Sequence, residues 1–411
     1  MGHDKLSVMK YGILLTKRGF LVNLIFSFIF FTFYFVFSIY VIRHVVISSG
    51  NNRLVVQASF HFIIAIALLL TSFFIHRFNK LRVIYACSIV TSIVTVLLFF
   101  VSNDIFRLIF IFVVGIFFGI GQLAFFTYFW SLTVPEERGR IAGLIGFVSL
   151  PFYFIVGIGV AETFDFLGIV MLSIVLSLGL LSVILLRPEK AVLTAKKDER
   201  GNHSEKRTML LYSIPWVLFS LINATLAKNI SLNILQQVPS SFYLFLTILQ
   251  VIGVIFGALI GGVIADFFGR RLSLAFSLTL YGISSALAGL FTSDEILSFV
   301  YVANGLSWGI LLTLYSFVVW GDIANKENCA KIYSIGLVIY YSTIGVGLLP
   351  TQISQTPLVV SALASCLLIF LSNIPIVLSP ELLSSDFREK IKLKLHMNAV
   401  RKIRKQSQNQ G

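Results

Sequence analysis

Gly261-Gly262-Val263-Ile264-Ala265-Asp266-Phe267-Phe268-Gly269-Arg270-Arg271 stands between two long apolar runs, and its reading decides the fold. Paired glycines let helix backbones approach closely, a carboxylate follows, and Gly269 permits a tight turn into two arginines. About 190 residues earlier, between two other apolar runs, lies a second copy, Thr71-Ser72-Phe73-Phe74-Ile75-His76-Arg77-Phe78-Asn79-Lys80-Leu81. The offset recurs. Trp130 closes a run before Glu136-Glu137-Arg138-Gly139-Arg140, and Trp320 closes another before Asp322 and Lys326-Glu327. Arg187-Pro188-Glu189 ends the first half and Ser379-Pro380-Glu381 ends the second. One half-length unit is written twice, and a membrane chain built that way carries its site between the repeats.

The surrounding composition is that of a membrane chain: 57% apolar and 12% charged over 411 residues. The apolar residues form runs of about 20, enough to cross a hydrocarbon layer of about 30 Å. Twelve spans are expected, near 19–42, 53–75, 82–101, 105–131, 139–160, 166–186, 209–231, 241–265, 271–291, 296–320, 331–350 and 356–378. Backbone amides in lipid must be satisfied internally, so these runs are helices, and the period-2 alternation of a membrane barrel is absent. The fold class is therefore all-α and membrane-embedded.

Twelve spans place both ends and every even loop on one side. Of the 32 Lys and Arg, only Arg43, Arg53, Arg107 and Lys228 fall on the other. The positive-inside rule then expects both termini in the cytoplasm and the chain in the cytoplasmic membrane, so the +14 charge is mainly an orientation signal. Basic residues dispersed over short loops exclude a nucleic-acid partner. The expected organisation is a tail at 1–18, a six-helix half at 19–186, a polar linker at 187–208, a second half at 209–378 and a basic tail at 379–411. Met1–Arg18 lacks a signal-peptide pattern, and the first apolar run reads as an anchor that stays. Cys87, Cys329 and Cys366 are far apart and carry no disulfide or metal spacing.

Gly262-x-x-x-Asp266-x-x-Gly269-Arg270-Arg271 resembles the loop signature of the major facilitator superfamily, and the likeness extends over essentially the whole chain. Pro135-Glu136-Glu137-Arg138-Gly139-Arg140, Arg187-Pro188-Glu189 and Pro380-Glu381 are similar to loop motifs of its sugar-porter branch. The resemblance implies a transporter of two pseudo-symmetric six-helix bundles, with helices one, four, seven and ten lining a central cavity. The gate residues it suggests are Asp266, Gly269, Arg270, Arg271, Arg138, Arg140, Glu189 and Glu381.

The loop chemistry stands without that likeness. A carboxylate at 266 can accept from Arg270 or Arg271, or from exposed amides at the start of a neighbouring helix. Pseudo-symmetry makes that neighbour helix five, which begins near Arg138 and Arg140. Such a cluster would close one side of the bundle in one conformation and separate in the other. The first copy has His76 in place of the acid, which makes a weaker latch.

Polar side chains at membrane depth face a cavity or another helix. They are Gln57, His61, Gln122, Asn223, Gln250 and Asn304, with Tyr34, Tyr153, Trp308, Tyr340 and Tyr341 adding aromatic surface. Under the resemblance, Tyr34, Gln122, Asn223, Asn304 and Trp308 are the expected substrate contacts, suited to a neutral polar solute. No Asp, Glu, Lys or Arg falls mid-span, which leaves His61 as the candidate proton site.

No cofactor is implied. The chain contains no Gly-Lys dipeptide from which to build a phosphate-cradling loop, which excludes an ATP-driven pump. Six histidines and three cysteines lie scattered, without an enzyme's constellation. The expected function is secondary or facilitative transport of a small organic solute, a sugar or related metabolite. The alternatives are export of amphipathic compounds and a non-transporting sensor on the same fold. The partners are the solute, the lipid bilayer and, for a coupled carrier, protons or another ion; a monomer is expected.

Overall fold

The computed structural model describes residues 15–38, 52–98, 100–101, 103–162, 177, 179–186, 205–291, 293–349 and 357–383. Its helices are α1 (Lys17–Val36), α2 (Asn52–Ser72), α3 (Lys80–Leu97), α4 (Asp104–Leu132) and α5 (Pro135–Glu162). Residues 179–186 form the described part of α6. The second half holds α7 (Glu205–Gln237), α8 (Ser240–Phe268), α9 (Arg270–Leu290), α10 (Asp294–Ile323), α11 (Cys329–Leu348) and α12 (Leu358–Leu378). Ten of these are long and apolar enough to cross a membrane. Most of the 187–208 linker, the tail beyond residue 383 and Glu189 lie outside the described residues, as does the side chain of Tyr153.

Local chemistry sets the helix starts. Asn79 accepts from the amides of Leu81 and Arg82 at the head of α3, and Asn103 accepts from Ile105 at the head of α4. Thr91, Thr127 and Ser365 donate to carbonyls one turn back, so these hydroxyls need no water inside the bundle. Ile66, Ile89, Phe256 and Leu367 are exposed, as lipid-facing side chains are and as those of a water-soluble domain are not.

Two expected spans run differently. α7 extends to Gln237 and α10 to Ile323, and each widens into a π-turn, over Asn223–Ala227 and Leu314–Val318. An inserted π-turn bulges the helix and lengthens the span beyond what hydropathy alone delimits.

Contact between the halves runs through α5 against α8 and α2 against α11. The glycines explain the closeness. A Cβ on Gly262 would sit 2.9 Å from the Cα of Gly143 in α5, while one on neighbouring Gly261 would sit 2.9 Å from the Cα of Ile310 in α10. Successive glycines thus admit two different helices, as small-residue packing in membranes requires.

Candidate functional site

The basic loops and the starts of α5 and α9 meet in a buried ion-pair network. Asp266, at 1% exposure, accepts from four donors. They are the amides of Gly139 (3.0 Å) and Arg140 (2.7 Å), the Arg140 Nε (3.1 Å) and the Arg270 Nη1 (2.7 Å). The two amides belong to the first turns of α5, where the helix dipole favours a carboxylate.

Arg270 also reaches Asp322 at the foot of α10, Nε to Oδ2 2.8 Å, and Arg138 pairs with the other oxygen of Asp322. Two acids and three arginines therefore tie α5 of the first half to α8, α9 and α10 of the second. Trp130 Nε1 adds a bond across the halves to the Gly321 carbonyl at 2.9 Å.

Asp322 is the gate member that sequence reasoning missed. Its signal was its place after Trp320, at the same offset that sets the arginines after Trp130. Arg271 is not in the network: its side chain bonds the Ser379 carbonyl at 3.4 Å, and its own amide donates to Glu381. One residue of helix rotation separates it from Arg270. Glu381 is a helix cap instead of a partner to an arginine side chain in the latch, accepting from the Arg270 amide at 2.8 Å. Gly269 has φ +108°, a left-handed conformation that favours glycine, and Glu381 packs where a Cβ would point.

In the first-half copy, Ile75–Arg77 is a single 3₁₀ turn with His76 and Arg77 exposed. No carboxylate is present there to draw the arginine inward. Lys80 bonds the Thr127 carbonyl at 3.2 Å.

The expected substrate contacts divide between two cavities. Tyr34, Gln122 and Trp308 line a cavity of ≈ 90 Å³ between the halves, with Tyr315 and Ser316 of the α10 π-turn. Its walls are aromatic: Trp216 stacks on Tyr315 with ring centres 4.5 Å apart, and Tyr34 meets Tyr341 edge-on at 5.3 Å. The Gln122 Oε1 is buried without a hydrogen-bond partner. Asn223 and Asn304 instead line a cavity of ≈ 160 Å³ bounded by α7, α8, α9 and α10, wholly within the second half. The reason is rotational. Asn304 turns toward Gln250 of α8, which donates to it at 2.8 Å, and Asn223 turns toward Tyr281 of α9, whose hydroxyl donates at 3.2 Å.

His61 is 2% exposed and lies behind Tyr34. Its Nδ1 is 2.6 Å from the Gln57 carbonyl, and its Nε2 is 2.9 Å from the Tyr34 hydroxyl. A carbonyl only accepts, so Nδ1 carries the proton, and in the neutral ring Nε2 accepts from Tyr34.

Comparison with known proteins places this geometry in a known fold. In overall fold the chain is similar to the E. coli fucose:proton symporter FucP (TM-score 0.62, 11% identity, 88% of this chain and 98% of that one). It is similar to the major facilitator superfamily proton:xylose symporter XylE (TM-score 0.61, 14% identity, 89% and 95% covered). The chain has the major facilitator superfamily fold. A bacterial homologue of the iron transporter ferroportin, in an outward-facing state, shares that fold (TM-score 0.65, 14% identity, 88% and 98% covered).

A family model described as "Sugar (and other) transporter" matches residues 192–356. A lincomycin resistance protein from Streptomyces lincolnensis is 32% identical over 124 residues, which are 29% of this chain and 23% of that protein. The matched stretch thus spans under a quarter of that relative's length. The matched family and the fold neighbours are transporters, not enzymes.

Proposed function

We propose that this chain is a secondary transporter in the cytoplasmic membrane that moves a small amphipathic organic solute by alternating access. The observation that carries the reading is the cavity of ≈ 90 Å³ shared by both halves, beside a buried ion-pair latch whose Arg138–Asp322 and Arg140–Asp266 pairs only one arrangement of the halves can form. A site shared by the halves is what a rocking carrier exposes to each side in turn. With the latch end facing the cytoplasm, as its basic loops argue, this arrangement is closed inward.

The lining argues for the solute class. Phe31, Phe126, Phe154, Trp216, Trp308 and Tyr340 offer ring surface, while Tyr34, Gln122 and Ser316 offer the polar contacts. A solute with an apolar face and one or two hydrogen-bonding groups matches that inventory. A sugar, with hydroxyls on every side, would leave several unpaired, at about 1–3 kcal/mol each. The sugar-transporter model over 192–356 supports the sugar reading, and the lincomycin resistance relative supports an exporter of amphipathic compounds.

His61 gives the cavity a route to proton coupling. Neutral, it accepts the Tyr34 proton; protonated, both of its nitrogens donate, and the Tyr34 hydroxyl must turn its own proton toward the cavity. A solute with an acceptor there binds the protonated form better. Among the described residues, the titratable groups facing His61 are the hydroxyls of Tyr34 on α1 and Tyr341 on α11.

The test is a thermal-shift screen of purified protein against sugars, organic acids, amino acids and hydrophobic amines, followed by flux in proteoliposomes. Amphipathic ligands should stabilise the protein and lose that effect in Trp308→Ala. Stabilisation by sugars alone would return the solute to that class. Ligand binding without flux would make the chain a sensor.

A further inference from the structure

The cavity within the second half shares no lining residue with the central one. We propose that it is a separate binding site for a small anion, a halide or a short carboxylate. This goes beyond the transport reading and does not depend on it.

The hydrogen bonds already made there decide what remains to be offered. Tyr281 occupies the Asn223 Oδ1 at 3.2 Å, and Gln250 occupies the Asn304 Oδ1 at 2.8 Å, so what these two side chains have left to offer is NH₂ donors. The Tyr301 hydroxyl belongs to the same lining, on a residue 6% exposed, with Ser231 beside it. Lys228 also lines the cavity, and its Nζ donates one bond, 3.3 Å to the Gly347 carbonyl, with two N–H groups left over. The Ser284 and Ser285 hydroxyls donate to the Tyr281 carbonyl, so the donors left to the lining come mainly from the asparagine amides and the ammonium, with one fixed positive charge and no carboxylate among its residues. A cation would meet that ammonium unneutralised, whereas an anion would pair with it and satisfy the donors.

The backbone is shaped for such a site. The α7 π-turn begins at Asn223 and ends just before Lys228, so the bulge lies between the residues that carry the amide and the ammonium. Gln250 and Asn304 lie ten residues into α8 and α10, so the floor is about 15 Å from the end opposite the latch. One helical turn deeper stand Val254 and Trp308, both of the central cavity. The two cavities are stacked along α8 and α10.

The test uses the purified full chain at constant ionic strength, with chloride or acetate titrated against a bulky impermeant anion. Melting temperature is read at each concentration. A saturable rise in melting temperature is expected with either probe, with the midpoint moved at least tenfold higher in Lys228→Gln and in Tyr301→Phe. Trp308→Ala, in the central cavity, should keep the wild-type response, which separates this site from the solute site. Lys228 is exposed, so its variant folds even where a core variant does not. A flat response at constant ionic strength would show that only water fills the cavity and would overturn the proposal. So would an unchanged midpoint in Lys228→Gln, or a response that follows the cation.

Discussion

Replacing Asp266 by Asn leaves the shape of the latch and removes its charge. The carboxylate accepts four hydrogen bonds from α5 and from Arg270, and at 1% exposure no water stands ready to replace it. Asn keeps one acceptor oxygen and turns an NH₂ toward donors. The network falls from two acids against three arginines to one against three, with Arg270 fully buried. Removing one partner of a buried pair costs about 3–5 kcal/mol, and a shift of about 3 kcal/mol changes a two-state equilibrium about 150-fold.

That cost falls mainly on the latched arrangement, because only there does Asp266 meet the Gly139 and Arg140 donors of the other half. Cys329, buried at the start of α11, reports the change. With Cys87 and Cys366 replaced by Ala, a bulky maleimide should label Cys329 slowly in the parent and at least tenfold faster in Asp266→Asn, at unchanged chromatographic behaviour. Equal labelling rates in a folded protein would refute the latch and leave the motif as a topology signal.

Four further outcomes are expected. Gly262→Ala places a Cβ 2.9 Å from the Gly143 Cα, and overpacking of about 1–3 kcal/mol should lower the melting temperature more than Gly→Ala at a lipid-facing position. Arg270→Gln should speed Cys329 labelling as Asp266→Asn does, whereas Arg271→Gln, bonded only at the rim, should not. Glu381→Ala removes the cap of α9, which costs about 0.5–2 kcal/mol of stability by thermal melting and leaves Cys329 labelling within twofold. Solute affinity should rise on acidification, because protonated His61 frees the Tyr34 hydroxyl, and Tyr34→Phe should flatten that pH profile; an unchanged slope would remove His61 from the mechanism.

The helices were legible because lipid leaves the backbone no alternative, and the glycine spacing at 261–262 pointed to tight packing before any neighbour was known. Asp266 was readable as well, since a carboxylate beside a helix start has few other uses. Asp322 was not, because its partner Arg138 lies 184 residues away and only the paired tryptophans hinted at the register. Arg270 and Arg271 look identical in a loop signature, and only the turn at Gly269 decides which one points inward. Asn223 and Asn304 were misplaced for a similar reason. Hydropathy gives an amide's depth along the helix axis, not its rotation about it, and π-turns in α7 and α10 shift that rotation further. The aromatic walls of the central cavity were hidden among 40 phenylalanines that mostly meet lipid and core.

Reciprocal motion of the two ends is the central claim, and paired spin labels measure it directly. One pair, at Phe78 and Lys326, spans the latch end; the other, at Asp104 and Asp294, spans the opposite end. In Asp266→Asn the first distance should lengthen as the second shortens, relative to the latched parent. If the two distances stay fixed, or lengthen together, the halves do not rock about a shared cavity and the account is wrong.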